Sequence, residues 1–298
     1  KNYWTCSYYS LIEKFQIFVQ LTRLNKPIGF LLLFWPCAWG LTLAFYFNGN
    51  LDIYLKHITL FFLGSVLMRS AGCIVNDIVD KDFDKKVLRT KNRPLASGKI
   101  TILNSLIYVA VLCLSALLIL LQFNSLTIGL GLGSMLLAFS YPFMKRITYW
   151  PQLFLGLTFN WGIIMGWSSI TNNLSIEPII LYLSAIFWTL GYDTIYGLQD
   201  MNDDEVIGVK STSIKFKDNV KFFVGACYVL FIFLILILSY MLEVNKYIFL
   251  VSLCFISSLI YQMKIFKLQN PSSCLAAFKM NNFTGFLVFL FILSFNFL

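Results

Sequence analysis

The sequence predicts an all-α integral membrane protein with nine spanning helices. Of its 298 residues, 58% are hydrophobic, 17% aromatic and only 12% charged, too apolar for a soluble domain. The apolar residues gather in runs such as Ile28–Asn48, Ile102–Gln122 and Phe222–Leu242, close to the ~20 residues with which a helix crosses about 30 Å of hydrocarbon. Lys and Arg crowd into every second connection between these runs, as they do in the cytoplasmic loops of membrane proteins.

Taken in order, residues 1–26 are expected as a cytoplasmic segment. They hold no compact apolar core followed by a small-residue cleavage site, so no cleavable signal peptide is expected. The spans then read as 28–48, 54–79, 102–122, 125–144, 151–170, 178–199, 222–242, 247–266 and 281–298. Arg23-Leu24-Asn25-Lys26-Pro27-Ile28-Gly29 opens the first, and Ser140-Tyr141-Pro142-Phe143-Met144-Lys145-Arg146 ends the fourth with a proline break and two cations. Connections 49–53, 123–124, 171–178 and 243–246 are short, whereas 81–101 and 201–221 are long. No Gly/Ser-rich or Pro-rich linker interrupts the chain, which reads as one integral membrane domain over 1–298. With a cytoplasmic N-terminus, the connections after spans two, four, six and eight share its side. That side holds all of the 23 Lys and Arg residues except Lys56, Lys246 and Arg69. The net charge of +9 follows from this bias, and nucleic acid need not be invoked.

Eight of the 14 acidic residues lie in two stretches, Asn76-Asp77-Ile78-Val79-Asp80-Lys81-Asp82-Phe83-Asp84 and Asp193 through Asp204. Ionised groups near hydrocarbon are costly, so a repeated concentration of them calls for a function. If the second span continues as a helix, Asn76, Asp80 and Asp84 stand four residues apart on one face. Asp193, Asp200 and Asp204 do the same at spacings of seven and four. Stacked carboxylates repel unless a cation lies between them. Hard oxygen donors select Mg²⁺ or Mn²⁺, and Mg²⁺ commonly uses one or two carboxylates together with substrate phosphates. Two half-sites for Mg²⁺ and a bridging diphosphate are therefore expected, at the cytoplasmic face and capped by the long connections. A solvated acidic helix end is the plainer alternative for a single cluster.

Arg89, Lys91 and Arg93 follow the first cluster and Lys210 the second. A departing diphosphate needs such partners, although topology alone also explains cations here. For Arg93 and Lys210 both explanations stand. Arg69 lies within a span and should face a polar cavity or a carboxylate. Lysine acts as a point charge toward phosphate, while arginine binds a planar carboxylate with two bonds; membrane-interface anchoring is the commoner use of either. His57 is the only histidine, which excludes a His-based metal site or a Ser-His-Asp triad. The seven cysteines show no paired spacing and read as small apolar packing residues. Intramembrane Asp and Arg also suit an ion-coupled transporter, but these carboxylates gather at one side, and helices broken at the midplane are not evident.

Together the motifs resemble the UbiA-type intramembrane prenyltransferases, from about Arg23 to Thr212. NDxxDxxxD is matched by Asn76, Asp77, Asp80 and Asp84, and YDTxYxxxDxxDD by Tyr192, Asp193, Tyr196, Asp200, Asp203 and Asp204. Arg93–Gly98, Tyr141–Arg146, Pro151–Gly156 and Gly208–Thr212 follow in the family's order, and Lys26–Gly29 is similar to the hydroxybenzoate branch. Asn25 and Lys81 depart from the frequent Asp and Arg. The resemblance implies nine helices around a central cavity with a lateral opening for an isoprenoid tail. It also implies Mg²⁺-dependent transfer of a polyprenyl group from its diphosphate to the ring carbon of 4-hydroxybenzoate ortho to the hydroxyl, in ubiquinone biosynthesis. Homogentisate and dihydroxynaphthoate are the alternative acceptors. Asn76, Asp80, Asp84, Asp200 and Asp204 would bind Mg²⁺–diphosphate, supported by Asp77 and Asp203. Arg93, Lys145, Lys210 and Lys91 would hold phosphate oxygens, and Asp193 and Arg146 would orient the acceptor. Arg23, Tyr141 and Arg69 complete the substrate-binding set. The implied partners are the two substrates and membrane lipid, with no obligate protein partner. The implied location is a bacterial inner membrane or, in a eukaryote, the mitochondrial inner membrane.

Overall fold

The structure, a computed structural model, describes residues 3–87 and 90–297; Arg89, expected beside the first aspartates, lies outside them. Among the described residues there is no strand, and nine helices are long and apolar enough to cross a membrane. They are α2 (Ile28–Asn48), α3 (Leu51–Val79), α5 (Ile102–Leu120), α6 (Ser125–Ile147), α7 (Pro151–Thr171), α8 (Ile176–Gly197), α11 (Val220–Met241), α12 (Ile248–Ile265) and α13 (Pro271–Leu293). Four further helices lie outside the spans: α1 (Tyr3–Thr22), α4 (Lys81–Asp84), α9 (Met201–Ile207) and α10 (Thr212–Lys215).

Helix starts follow local chemistry. The side chains of Asn124, Ser211 and Asn270 accept the backbone N–H three residues on, from Thr127, Ile214 and Ser273, which satisfies a donor the helix leaves open. Pro151 and Pro271 occupy first-turn positions, where the missing N–H costs nothing.

Three sequence expectations change, and one segment gains a helix. The segment before the first span is helical as α1. The fourth span does not end at its proline: α6 runs through Pro142 to Ile147, and the ring removes only one ladder bond. The last span begins at Pro271, ten residues before the expected 281, and Lys279 lies inside it. Finally, neither aspartate motif is an unbroken continuation of its span, because α3 and α8 stop just before Asp80 and Asp200.

The chain gathers into two compact units, residues 1–31 with 63–119 and residues 32–62 with 120–298. In the first, Leu21, Ala71, Ile74, Leu95 and Leu112 form the core, and Phe18 meets Tyr108 edge-on at 5.2 Å between ring centroids. In the second, α8 packs against α7, α11 and α13, and α12 pairs with α13. Trp39, Trp188 and Phe231 cluster at its centre. Polar atoms there find internal partners, as a hydrocarbon setting demands. The indole N–H of Trp188 donates to Asn281 Oδ1 at 2.9 Å, that of Trp39 to the Gly285 carbonyl at 2.9 Å, and Tyr228 Oη to Gln262 Oε1 at 2.9 Å. His57 is buried against Phe123, its Nδ1 3.1 Å from Ser169 Oγ.

Small residues let α2 and α7 approach. A Cβ on Gly166 would stand 2.7 Å from the Cys37 carbonyl, and one on Gly40 would overlap the Ile163 carbonyl. Such contacts are the ordinary way for helices to pack without a solvent-driven force.

Candidate active site

The first half-site is built at the C-terminal end of α3. Asp80 sits between α3 and α4 with φ −94° and ψ 3°. The helical bonding pattern nevertheless passes through it: the Asp80 N–H donates to the Asn76 carbonyl at 2.9 Å and the Asp84 N–H to the Asp80 carbonyl at 2.8 Å. Asn76, Asp80 and Asp84 therefore keep the four-residue spacing expected from the sequence. Asp80 and Asp84 are only 8% and 7% exposed, and buried carboxylates are tolerated only with compensating charge or hydrogen bonds.

Part of that compensation is arginine. Asp77 Oδ1 accepts from Arg23 Nη2 at 2.5 Å and from Arg93 Nη1 at 3.1 Å, and the same Arg93 nitrogen donates to Asp84 Oδ2 at 2.8 Å. Asp77 is 1% exposed. Expected to support the metal ligands, Asp77 directs its carboxylate to two guanidinium groups. Arg93, expected on phosphate, spans Asp77 and Asp84. Arg69 is half-buried and packs over Gly29, where a Cβ would lie 2.9 Å from Nε. Lys91 is exposed.

The second half-site repeats the construction. Asp200 occupies the break before α9 with φ −112° and ψ 6°, and the Asp204 N–H donates to its carbonyl at 2.8 Å. α9 closes at Gly208, whose φ of 78° is open to glycine without strain. Asp193 is half-buried on α8, two turns before Asp200, while Asp203 is exposed. Tyr192 and Tyr196 lean on Phe278 of α13 with centroids 5.8 and 4.5 Å apart. Lys145 and Arg146 lie in the last turn of α6, where cations suit the helix dipole. Tyr141 is half-buried one turn earlier, and Arg146 is exposed. The Lys210 N–H donates to the Lys145 carbonyl at 2.9 Å, and Lys210 Nζ donates to the Ile147 carbonyl at 3.2 Å.

Among the described residues no three His, Cys, Asp or Glu side chains converge as a ready-made metal cage. A cation carried in with diphosphate needs no such cage, because Mg²⁺ is commonly held by one or two carboxylates plus phosphate and water. The hard oxygen donors Asp80, Asp84, Asp200 and Asp204 fit that chemistry, and nearby Arg93 and Lys210 fit an anion.

Sequence reasoning found the carboxylates and cations but missed how they are held. The role of Asp77 depends on Arg23, 54 residues away. The buried group of Gln152, Thr194, Thr212 and Ser213 was visible only as motifs without a role.

The fold and these clusters describe an intramembrane helical protein with two aspartate-rich helix ends and flanking basic residues. The chain belongs to the UbiA prenyltransferase family, whose pattern it matches over residues 33–290. It is 40% identical over 278 residues to a 4-hydroxybenzoate octaprenyltransferase of Psychromonas ingrahamii, covering 93% of this chain and 95% of that protein. It is 48% identical over 212 residues to a mitochondrial 4-hydroxybenzoate polyprenyltransferase of Arabidopsis thaliana and 49% identical over 209 residues to the human protein of that name. These matches cover 71% and 69% of this chain but only 52% and 55% of those proteins, so the chain spans about half the length of these eukaryotic relatives. The fold is shared with an apo UbiA homolog from Aeropyrum pernix K1 (TM-score 0.74, 21% identity, 89% of this chain and 97% of that one). It is shared as well with a homolog from Archaeoglobus fulgidus bound to GPP and Mg²⁺ (TM-score 0.71, 19% identity, 95% and 100%).

Proposed function

We propose that the chain transfers a polyprenyl group from an allylic polyprenyl diphosphate to 4-hydroxybenzoate, at the ring carbon ortho to the hydroxyl. The observation that carries the reading is the repeated half-site, in which Asp84 bonds back to Asp80 as Asp204 does to Asp200, each at 2.8 Å. The acceptor reading rests on the 40% identity to the Psychromonas octaprenyltransferase along nearly the whole of both chains.

In the reaction the allylic C–O bond breaks and its electron pair leaves with diphosphate. The allylic cation bonds to the electron-rich ring carbon, and loss of the proton on that carbon restores aromaticity. Mg²⁺, when bound, neutralises the charge that develops on the departing diphosphate. Asp80, Asp84, Asp200 and Asp204, with Asn76, are its proposed holders. Arg93, Lys145 and Lys210 are proposed to take phosphate oxygens, where fixed positive groups stabilise a leaving anion. Asp193 and Arg146 are proposed to orient the acceptor, the guanidinium toward its carboxylate. The setting keeps the cation from water and admits the lipid tail. The active face is read as cytoplasmic, or as matrix-side in a mitochondrion, from the bias of Lys and Arg.

The test is a Mg²⁺-dependent assay with radiolabelled polyprenyl diphosphate and 4-hydroxybenzoate, homogentisate or dihydroxynaphthoate offered in parallel. Prenylated 4-hydroxybenzoate as the main product is expected. Preference for another acceptor would move the chain to a sister activity.

A further inference from the structure

Two sequence motifs have no role in the reaction as read so far, Pro151-Gln152 and Ser211-Thr212-Ser213, and in the structure they meet. Gln152, in the first turn of α7, is 5% exposed, and its Oε1 accepts the Thr212 N–H at 3.0 Å. Thr212 and Ser213 are fully buried. The Thr212 and Thr194 hydroxyls share a hydrogen bond of 2.7 Å, and Ser213 Oγ donates to the Thr194 carbonyl at 2.8 Å. A Cβ on Gly197 would run into Ser213 Oγ. Ser211 caps α10 by accepting the Ile214 N–H at 3.2 Å. Lys210 comes immediately before this segment, and its own N–H is bonded to the Lys145 carbonyl.

We propose that Gln152 and Thr194 form a clamp on Thr212 and Ser213 that sets the position of Lys210 beside Lys145, making Gln152 a positioning residue for diphosphate binding. The inference rests on the reading of these two lysines as phosphate partners. Burying several polar groups to secure a connection is costly unless every one is paired, and apolar contacts would tie down a loop at less cost. What the hydrogen bonds add is direction. Lysine has a long flexible stem and acts as a point charge, so its placement depends on a fixed main chain, and here that chain is bonded on both sides of Lys210. Because the diphosphate is already gripped in the ground state, loosening the clamp raises KM, and it lowers kcat only by the part of the grip that strengthens as the anion leaves.

The test is steady-state kinetics of Gln152→Ala, Gln152→Glu and Lys210→Ala, with the double variant Gln152→Ala/Lys210→Ala and thermal unfolding of each in detergent. Gln152→Ala is expected to raise KM for polyprenyl diphosphate about tenfold, the scale of one lost buried hydrogen bond, and to leave KM for the aromatic acceptor unchanged. Gln152→Glu, which keeps an acceptor oxygen, should restore most of the affinity. In the Lys210→Ala background, Gln152→Ala should add little. If Gln152→Ala does not fold, Thr194→Val removes another bond of the same clamp and should show the same selective rise in KM. If Lys210→Ala leaves the diphosphate KM unchanged, the reading of that lysine fails. If Lys210→Ala raises it but the clamp variants lower only the amount of folded enzyme, or add their full effect to Lys210→Ala, the positioning inference fails alone.

Discussion

Arg23 holds the buried carboxylate of Asp77 from a backbone turned into the left-handed region, with φ 57° and an Nη2–Oδ1 separation of 2.5 Å. A side chain larger than glycine's gives up about 1–2 kcal/mol to stand there, and such strain persists only where surrounding contacts impose it. Here the contact is an ion pair in which Asp77 has a side-chain exposure of 2%. The same carboxylate takes Arg93, which reaches on to Asp84. One buried aspartate thus ties the end of α1, the connection after α4 and the first aspartate ridge together.

Asp77→Asn should therefore act on stability before it acts on metal. Removing one partner from a buried ion pair typically costs about 3–5 kcal/mol, and a loss near the lower figure is expected as a drop in the unfolding midpoint in detergent. Arg23→Gly should lose less, since glycine relieves the left-handed strain. Mn²⁺ affinity, followed by electron paramagnetic resonance, should survive Asp77→Asn and fall in Asp80→Asn. Equal losses of Mn²⁺ in both variants would return Asp77 to the ligands.

Arg93 cannot be exchanged for lysine. Its guanidinium serves two carboxylates, Asp77 at 3.1 Å and Asp84 at 2.8 Å, a planar fork that an ammonium does not reproduce. Arg93→Lys is expected to lower kcat/KM for the diphosphate substrate by about tenfold or more. An unchanged value would reduce Arg93 to a charge that sets topology.

How much of this was legible in the sequence varied with the kind of contact. Spans announced themselves by length and hydropathy, and the aspartate ridges by a spacing of four, because both depend on residues close in sequence. The expected start of α13 at 281 falls ten residues late because Ser272, Ser273 and Lys279 read as a polar connection. In the structure Asn281 is buried and bonded to Trp188, and Asn282 to Trp35, partners some ninety and some two hundred and fifty residues away. The Arg23–Asp77 pair escaped for a related reason, since nothing in Thr22-Arg23-Leu24 marks a left-handed turn at a non-glycine residue.

Helix approach supplies a further prediction, independent of the chemistry. A Cβ on Gly166 would lie 2.7 Å from the Cys37 carbonyl and 3.0 Å from the Leu41 N–H, backbone atoms that cannot swing aside. Gly166→Ala should destabilise by about 1–3 kcal/mol, as overpacking does. Gly129→Ala, with nothing within 4 Å of the new atom, should be neutral or stabilising by up to about 1 kcal/mol. Comparable midpoints for the two variants would contradict the tight approach of α2 and α7.

The most direct test of the two-half-site account is prenyl transfer to 4-hydroxybenzoate by Asp80→Ala and Asp200→Ala, each compared with the parent at saturating Mg²⁺ and with its fold verified by thermal unfolding. Loss of about a thousandfold or more in kcat/KM is expected from either change alone, on the scale of removing a main electrostatic contributor to catalysis. Turnover within tenfold of the parent in either folded variant would contradict the assignment of that half-site to the reaction.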